Sequence, residues 1–172
     1  EYSVVQREVT MGDSRFDLLL GNEATGEVFP VEVNSCTLFG EKGAMFPDAV
    51  TARGKKHVDH LGQIGQIGRA GILILVQWNR AEWFLPDFHT DIEFAKAFRV
   101  NMERIDWKVA ALHWTPEFDY PDHVKLLPTS TKALDEEMGN CGDYLLILYL
   151  DKDKLVEIGT KGIMNFPQGY YA

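Results

Sequence analysis

The sequence predicts an α/β fold in which a mixed central sheet is flanked by helices. Segments with strand-forming composition fill the first third of the chain, and a helical apolar stripe follows them. A nearly continuous apolar run over residues 71–78 then indicates a strand that is buried on both faces. Strands followed by alternating helices and strands are typical of an α/β core with such a mixed sheet.

The first three predicted strands cover residues 4–9, 15–20 and 28–38, where apolar and β-branched residues are frequent. A turn over residues 22–26 closes a hairpin between the second and third strands. Pro30 belongs near the start of its strand or on a sheet edge, because proline cannot donate a ladder hydrogen bond. A loop over residues 39–47 is predicted after the third strand.

Two helices are predicted, over residues 48–69 and 91–103, and a strand over residues 107–114 follows the second. Apolar residues at three- and four-residue spacings mark the first helix: Val50, Val58, Leu61, Ile64 and Ile67. Its glycines each weaken a helix by up to ~1 kcal/mol relative to alanine, so we expect close packing against the sheet or fraying at the end. They are Gly54, Gly62, Gly65 and Gly68.

The last third of the chain is predicted to hold a linker and a hairpin. Prolines, a Thr-Ser-Thr run and clustered acids favour an irregular connection over residues 115–142. Apolar runs at residues 144–150 and 155–158 then predict a hairpin. The expected organisation is therefore a domain over residues 1–114, the linker, and an incomplete unit over residues 143–172.

Composition narrows the class of protein. The chain has 172 residues, of which 45% are hydrophobic and 12% aromatic, enough for one ordinary domain with a core. No apolar run approaches the ~18 residues of a membrane helix, and no signal pattern opens the chain, so we expect a cytoplasmic protein without membrane contact. Cys36 and Cys141 are far apart, which argues against a disulfide framework or a structural zinc site.

The charge distribution is uneven. The net charge of −9 argues against a generic basic nucleic-acid coat, and it keeps open an acidic module that binds protein partners. By contrast, residues 51–57 form a locally basic stretch. A nucleic-acid site would therefore be this local patch, aided by metal ions.

Two carboxylates on neighbouring predicted strands are candidate metal ligands. Asp17 and Glu32 lie on the second and third strands, and Asn34 shares a strand face with Glu32 because side chains alternate with period two. Converging carboxylates suit Mg²⁺ or Mn²⁺, which activates water and neutralises a phosphodiester. On spacing alone, two solvated acids on the polar face of a strand are the commoner explanation.

Three sequence blocks add a resemblance to this pattern. They are Ser14-Arg-Phe-Asp17, Val31-Glu-Val-Asn-Ser-Cys-Thr-Leu38 and Phe46-Pro-Asp-Ala-Val-Thr-Ala-Arg-Gly-Lys-Lys-His57. In this order and with these separations they resemble consecutive blocks of the sugar fermentation stimulation protein A family. The resemblance implies DNA binding and a domain similar to the restriction-endonuclease-like, or PD-(D/E)xK, fold. It implies that Asp17 is the family's Asp and Glu32 its acidic residue.

The chain departs from the family pattern at the third catalytic position. Where the family has a Glu-Val-Lys triplet, this chain has Glu32-Val33-Asn34. The neutral amide of Asn34 cannot offset charge on a phosphate. Asn34 can still position water by hydrogen bonding. Lys55 or Lys56, near the start of the following helix, could substitute for the missing lysine, or they could simply contact phosphate or solvent.

Further residues could hold metal or nucleic acid. Glu8 matches a family Glu ahead of the first block and either completes the acidic cluster or is a surface strand residue. Asp48 could cap the first helix, where backbone amides could take a phosphate, and His57 is expected to contact phosphate. The predicted nucleic-acid-binding set is Arg15, Thr51, Arg53, Lys55, Lys56 and His57.

The ends of the chain carry a second resemblance and an expectation about completeness. Residues 144–171, ending in Gly169-Tyr-Tyr171, look like the opening hairpin of a GIY-YIG-like nuclease domain, whose second triplet, Arg and metal-binding Glu would lie beyond Ala172. Members of the resembled family also carry an OB-like segment ahead of this domain. We therefore expect a fragment or an unusual family member.

Three functions follow from these patterns. The first is a DNA-binding protein, with RNA as the alternative substrate, that hydrolyses phosphodiester bonds with Mg²⁺ or Mn²⁺ through Asp17, Glu32 and either Asn34 or Lys56. The second is a non-catalytic nucleic-acid-binding regulator of sugar metabolism genes, which the loss of the lysine favours. The third is the acidic protein-interaction module.

Overall fold

The protein is described by a computed structural model that covers residues 1–115, 120–139, 145–151 and 154–159. Two compact units divide the chain, Glu1–Thr131 and Lys132–Ala172. The elements of the described residues are β1 Ser3–Met11, β2 Ser14–Asn22, β3 Glu27–Cys36, β4 Leu38–Phe39, β5 Gly43–Phe46, α1 Ala52–Gly65, β6 Gly71–Val76, β7 Trp83–Pro86, α2 Ile92–Asn101, β8 Asp106–Trp114, β9 Pro121–Leu126, α3 Thr131–Gly139, β10 Leu145–Asp151 and β11 Lys154–Gly159.

A six-stranded mixed sheet forms the centre of the first unit, with the strand order β1-β2-β3-β6-β8-β9. The first three strands are antiparallel neighbours, whereas β3, β6 and β8 are parallel. The parallel strands need crossover connections, and α1 and α2 lie in those connections. The predicted mixed α/β architecture with a central sheet flanked by helices is confirmed.

The core lies where the helices cover the sheet. The apolar sequence of β6 is buried at alternate and neighbouring positions, as expected for a central parallel strand. Large aromatic and aliphatic side chains from different elements fill the core. The largest of them are Phe16, Leu61, Ile74, Phe84, Phe94 and Phe98.

Helix α1 is shorter than predicted at both ends. Val50 and Ile67, which the predicted stripe included, lie outside the helix and are 76% and 92% exposed. Thr51 caps the helix by accepting a hydrogen bond from the Gly54 amide, so the expectation that Asp48 is the cap was wrong. The Asp48 carboxylate instead accepts a hydrogen bond from the Thr37 hydroxyl.

Two glycines of α1 pack closely, as predicted, but they pack against the end of α2 and the turn after it and not against the sheet. A methyl group on Gly62 would overlap the Asn101 side chain, and one on Gly65 would overlap the Arg104 carbonyl. These positions therefore let the two helices approach closely, which compensates for the poor helix propensity of glycine.

A second, three-stranded sheet of order β4-β5-β7 was not predicted. Strands β4 and β5 are short and are separated by Gly40, Glu41 and Lys42, so they fall in or beside the segment predicted to be a loop. Strand β7 pairs in parallel with β5, and it buries Phe84 while leaving Trp83 exposed.

The region predicted to be a linker contains regular structure. Strand β9 pairs with β8 and forms the edge of the central sheet, and α3 follows it. The sequence signal for β9 was masked by Pro121 and by the neighbouring acids, which are depleted in strands. The domain limits at residues 114 and 142 stay a prediction.

In the second unit, the predicted hairpin is confirmed by the antiparallel pairing of β10 with β11. The Gly169-Tyr-Tyr171 triplet lies outside the described residues, so the GIY-YIG-like resemblance stays a prediction. In the part of the chain that the structure describes, no helix is long and apolar enough to cross a membrane.

Candidate functional site

The two predicted carboxylates meet on adjacent central strands. The register that pairs Leu18 of β2 with Val31 of β3 places Asp17 opposite Glu32. The Asp17 carboxylate reaches across and accepts a hydrogen bond from the Val33 amide at 2.7 Å. One Asp17 oxygen is thus fixed by the backbone of β3, which holds this carboxylate beside Glu32.

Glu32 is almost buried, with 8% of the residue exposed. One of its oxygens, Oε1, lies 2.5 Å from Nδ1 of His57, which α1 directs toward the sheet. The other oxygen, Oε2, is buried and has no hydrogen-bond partner among the described residues. A buried carboxylate oxygen without a partner costs stability, and a further group bound to it would lower that cost.

The electrostatics of Glu32 are consistent with a site that favours a cation. Burial raises the pKa of Glu32 above its ordinary value, and the negative charge of Asp17 adds to the increase. The hydrogen bond and the charge of His57 act in the opposite direction, as does the charge of Arg53. A divalent cation between the two carboxylates would relieve both the burial cost and their mutual repulsion.

The structure corrects the role expected for His57. Only 5% of this residue is exposed, and its ring packs edge-on against Phe16 with the ring centroids 5.5 Å apart. A side chain enclosed in this way cannot contact phosphate, so the phosphate contact expected for His57 was wrong. His57 instead orients Glu32. The available sequence signal was its four-residue spacing from the core residue Leu61 on the same helix face.

Lys55 and Lys56, the two candidates to replace the missing lysine, both pair with acids other than Asp17 and Glu32. Lys55 pairs with Asp59 at 2.7 Å, one helical turn further along α1. Lys56 pairs with Asp13, in the turn between β1 and β2, at 2.9 Å. Asn34 lies two residues beyond Glu32 on β3, so its amide is on the same strand face as that carboxylate. Asn34 is half-buried.

Glu8 is directed at Arg15. Their side chains lie 3.6 Å apart and are largely exposed. Among the described residues, Glu8, Asp17 and Glu32 do not form a close group of three metal-binding side chains. The acidic pair is therefore the centre of the candidate site, and Glu8 and Arg15 lie at its exposed border.

The first turn of α1 is less open to phosphate than predicted. The Thr51 amide donates to the Asp91 carboxylate at 2.8 Å, and the Thr51 hydroxyl is the helix cap. Thr51 thus has its polar groups committed within the protein. The exposed basic side chains of Arg53 and Lys56 lie three residues apart on the same side of the helix.

A second group of metal-binding side chains was missed by the sequence analysis. His113 on β8 and Asp122 and His123 on β9 bring their ligand atoms within 4.8 Å of one another. The adjacent Asp-His pair was visible in the sequence, but its partner could not be found while residues 115–142 were taken for a linker.

The first two thirds of the chain are similar to a known protein family. Residues 1–118 match the family model described as the sugar fermentation stimulation protein RE domain. A sugar fermentation stimulation protein homolog of Clostridium botulinum strain Loch Maree is 42% identical over 105 residues, which are 60% of this chain and 45% of the relative. The homolog of Clostridium tetani is 40% identical over 98 residues, 56% of this chain and 42% of that protein. The chain thus matches less than half the length of these curated relatives.

A solved structure has a similar fold. The structure of SfsA of Pyrococcus furiosus in complex with Ca²⁺ superimposes with a TM-score of 0.66 and 23% sequence identity. The match covers 75% of this chain and 55% of that protein. At this identity the likeness establishes the fold.

Proposed function

The chain belongs to the sugar fermentation stimulation protein family, and we propose that it is a cytoplasmic DNA-binding protein that hydrolyses phosphodiester bonds with Mg²⁺ or Mn²⁺. The central sheet would act as a restriction-endonuclease-like core, and Asp17 and Glu32 would hold the cation. RNA is the alternative substrate, because the proposed contacts are with phosphate groups, which DNA and RNA share.

The observation that carries this proposal is the unpartnered Oε2 of the buried Glu32. The opposing Asp17 supplies a second hard oxygen ligand of the kind that Mg²⁺, Mn²⁺ and Ca²⁺ prefer. The structure of the Pyrococcus furiosus relative was obtained in complex with Ca²⁺, a cation that takes oxygen ligands, as Mg²⁺ does. The donor set therefore fits a divalent cation.

Each residue would have a separate task. The cation would neutralise charge on the phosphate and lower the pKa of water. His57 would hold the Glu32 carboxylate in one orientation through its 2.5 Å contact. Asn34 would position water by hydrogen bonding, while Arg53, Lys56 and Arg15 would attract the phosphate backbone from the exposed surface.

A second candidate function is nucleic-acid binding without hydrolysis, in regulation of sugar metabolism genes. It is favoured by Asn34 at the position of the family's lysine and by the pairing of Lys55 and Lys56 with Asp59 and Asp13. A site without a cationic group at the attacking water loses transition-state stabilisation worth several kcal/mol. Binding would survive this loss, since it depends on surface charge.

Cleavage of labelled single- and double-stranded DNA and RNA with Mg²⁺ or Mn²⁺ tests the proposal. The wild type is compared with Glu32→Gln and Asp17→Asn, and Glu93→Gln is the matched control because Glu93 is an exposed acid on α2 paired with Lys96. We expect metal-dependent cleavage by the wild type and the control, and at least a ~100-fold loss in the two site variants.

Gel-shift titrations at several salt concentrations separate the alternatives. Arg53→Ala and Lys56→Ala should each reduce the salt dependence of binding by about one phosphate contact. Binding without cleavage in every variant supports the non-catalytic function. The absence of both binding and cleavage at moderate salt would leave the acidic protein-interaction module.

A further inference from the structure

A β-bulge gathers three metal-binding side chains at the edge of the central sheet. His113 of β8 pairs with His123 of β9, but the next residue, Trp114, pairs with Pro121. Asp122 is therefore an extra residue in β9, and the bulge turns its carboxylate toward the same side as the two imidazoles. Regular alternation along β9 would have placed Asp122 and His123 on opposite faces.

Both imidazoles already contact the Asp122 carboxylate through their ligand atoms. Nδ1 of His113 lies 2.6 Å from Oδ1 of Asp122, and Nδ1 of His123 lies 3.4 Å from the same oxygen. All three residues are exposed, and they line an open groove of about 410 Å³ together with Asn79 and Lys125. Ligand access from solvent is therefore unobstructed.

We propose that His113, Asp122 and His123 form a binding site for Zn²⁺ or a similar divalent transition metal ion. Two imidazoles and one carboxylate are a common donor set for such ions, and they leave a fourth tetrahedral position for water or a ligand. Mg²⁺ disfavours imidazole and prefers oxygen ligands, so this site and the Asp17–Glu32 pair select different metals.

The charges and the geometry around the group suit this assignment. Asp122 contributes a carboxylate, which adds negative charge to a ligand set whose two imidazoles are neutral when they bind a metal ion. Tetrahedral ligands at Zn–N and Zn–O distances of ~2.0–2.1 Å lie roughly 3.3 Å apart. The present contacts with Asp122, at 2.6 and 3.4 Å, and the 4.8 Å limit on the separation of all three ligand atoms are close to that spacing, and exposed side chains are free to rotate into it.

Binding would fasten the edge strand β9 to its neighbour. The only strand that β9 pairs with in the described sheet is β8, and most of its residues are exposed. A metal ion shared by His113 and His123 would join the two strands at the irregular point of their ladder. The site would therefore stabilise the folded state by an amount that grows with the logarithm of the free ion concentration once this exceeds the Kd.

Calorimetric titration of the full chain, without an affinity tag, with Zn²⁺ in buffer containing excess Mg²⁺ tests the site. The variants are His113→Ala and His123→Ala, and His89→Ala is the matched control because His89 is an exposed histidine away from the group. Glu32→Gln separates this site from the proposed catalytic one. Co²⁺ titration adds a visible absorption band whose intensity reports tetrahedral coordination.

We expect one Zn²⁺ per chain, at least ~10-fold weaker binding in each cluster variant, and unchanged binding in His89→Ala and Glu32→Gln. Zn²⁺ should also raise the Tm of the wild type and the control, but not that of the cluster variants. Wild-type affinity in His113→Ala, or loss of Zn²⁺ binding in Glu32→Gln, would overturn the proposal. Far-UV circular dichroism checks that each variant remains folded.

Discussion

The protein contains two histidine–carboxylate contacts of nearly equal length in opposite surroundings. His57 and Glu32 lie 2.5 Å apart in the interior, whereas His113 and Asp122 lie 2.6 Å apart at an exposed edge. The pKa of Glu32 is raised, because burial outweighs the histidine beside it. The pKa of Asp122 is lowered, because the hydrogen bond from His113 outweighs the opposing effect of desolvation at this exposed position. The surroundings of a pair thus decide the direction of the shift.

The difference separates two uses of the same chemistry. The buried pair holds a carboxylate in place and leaves one of its oxygens without a partner among the described residues, so a cation bound there would lower the cost of burying it. The exposed pair costs little to form or to break, because water can replace either partner. Its side chains can therefore rearrange around an incoming ligand.

The largest expected effect is on stability when a histidine is removed from each pair. His57→Ala leaves a buried carboxylate without its partner, so we expect a loss of about 3–5 kcal/mol in the free energy of unfolding. His113→Ala should leave the urea midpoint unchanged in metal-free buffer. Urea unfolding followed by circular dichroism measures both variants, and equal losses would show that burial does not distinguish the pairs.

A smaller, kinetic effect tests burial at a group without a histidine. Cys36 is fully buried, and burial raises the pKa of its thiol to about 11. From the ordinary value of 9.0, this shift lowers the thiolate fraction at pH 8 by about 100-fold. In a Cys141→Ser variant, Cys36 should therefore react with a disulfide reagent at least ~100-fold more slowly than a peptide thiol, and normally only after unfolding. Rapid reaction in native buffer would contradict this.

The smallest effect is the opposite displacement of the two carboxyl groups in one pH titration. In metal-free buffer, carboxyl-carbon NMR should place the pKa of Glu32 above 4.5 and that of Asp122 below 3.8. A raised folded pKa means that ionised Glu32 opposes folding, so this cost grows as pH rises above 4.5 through the folded value. The lowered pKa of Asp122 favours folding above pH 3.8, and this is lost as pH falls through its folded value. Shifts of both pKa values in the same direction would show that the surroundings do not decide the direction.

Much of the fold followed from local sequence patterns. Strands β1, β2, β3, β6 and β8 and both helices between them were predicted, because each has a long apolar or amphipathic pattern. Strands β4, β5 and β7 are short and exist through pairing with one another, which no local pattern encodes. Strand β9 is an exposed edge strand that begins at Pro121, so its composition resembles that of a loop.

The candidate site was predictable in its carboxylates but not in their neighbours. Asp17 and Glu32 lie on consecutive strands, where period-two alternation and hairpin register are sufficient to bring them together. The contact of His57 with Glu32 depends on how α1 is rotated against the sheet, and the pairing of Lys55 and Lys56 depends on rotamers. The bulge that gathers His113, Asp122 and His123 depends on a register shift that the sequence does not encode locally.

Asp91 gives the helix pair a cooperative property. One of its oxygens accepts from the Phe94 amide at the start of α2, and the other accepts from the Thr51 amide at the start of α1. Because one buried carboxylate holds both helix starts, neither can fray without disturbing the other. The amide protons of Thr51 and Phe94 should therefore exchange with deuterium in a shared opening event. The position of α1, which carries His57, thus depends on that of α2.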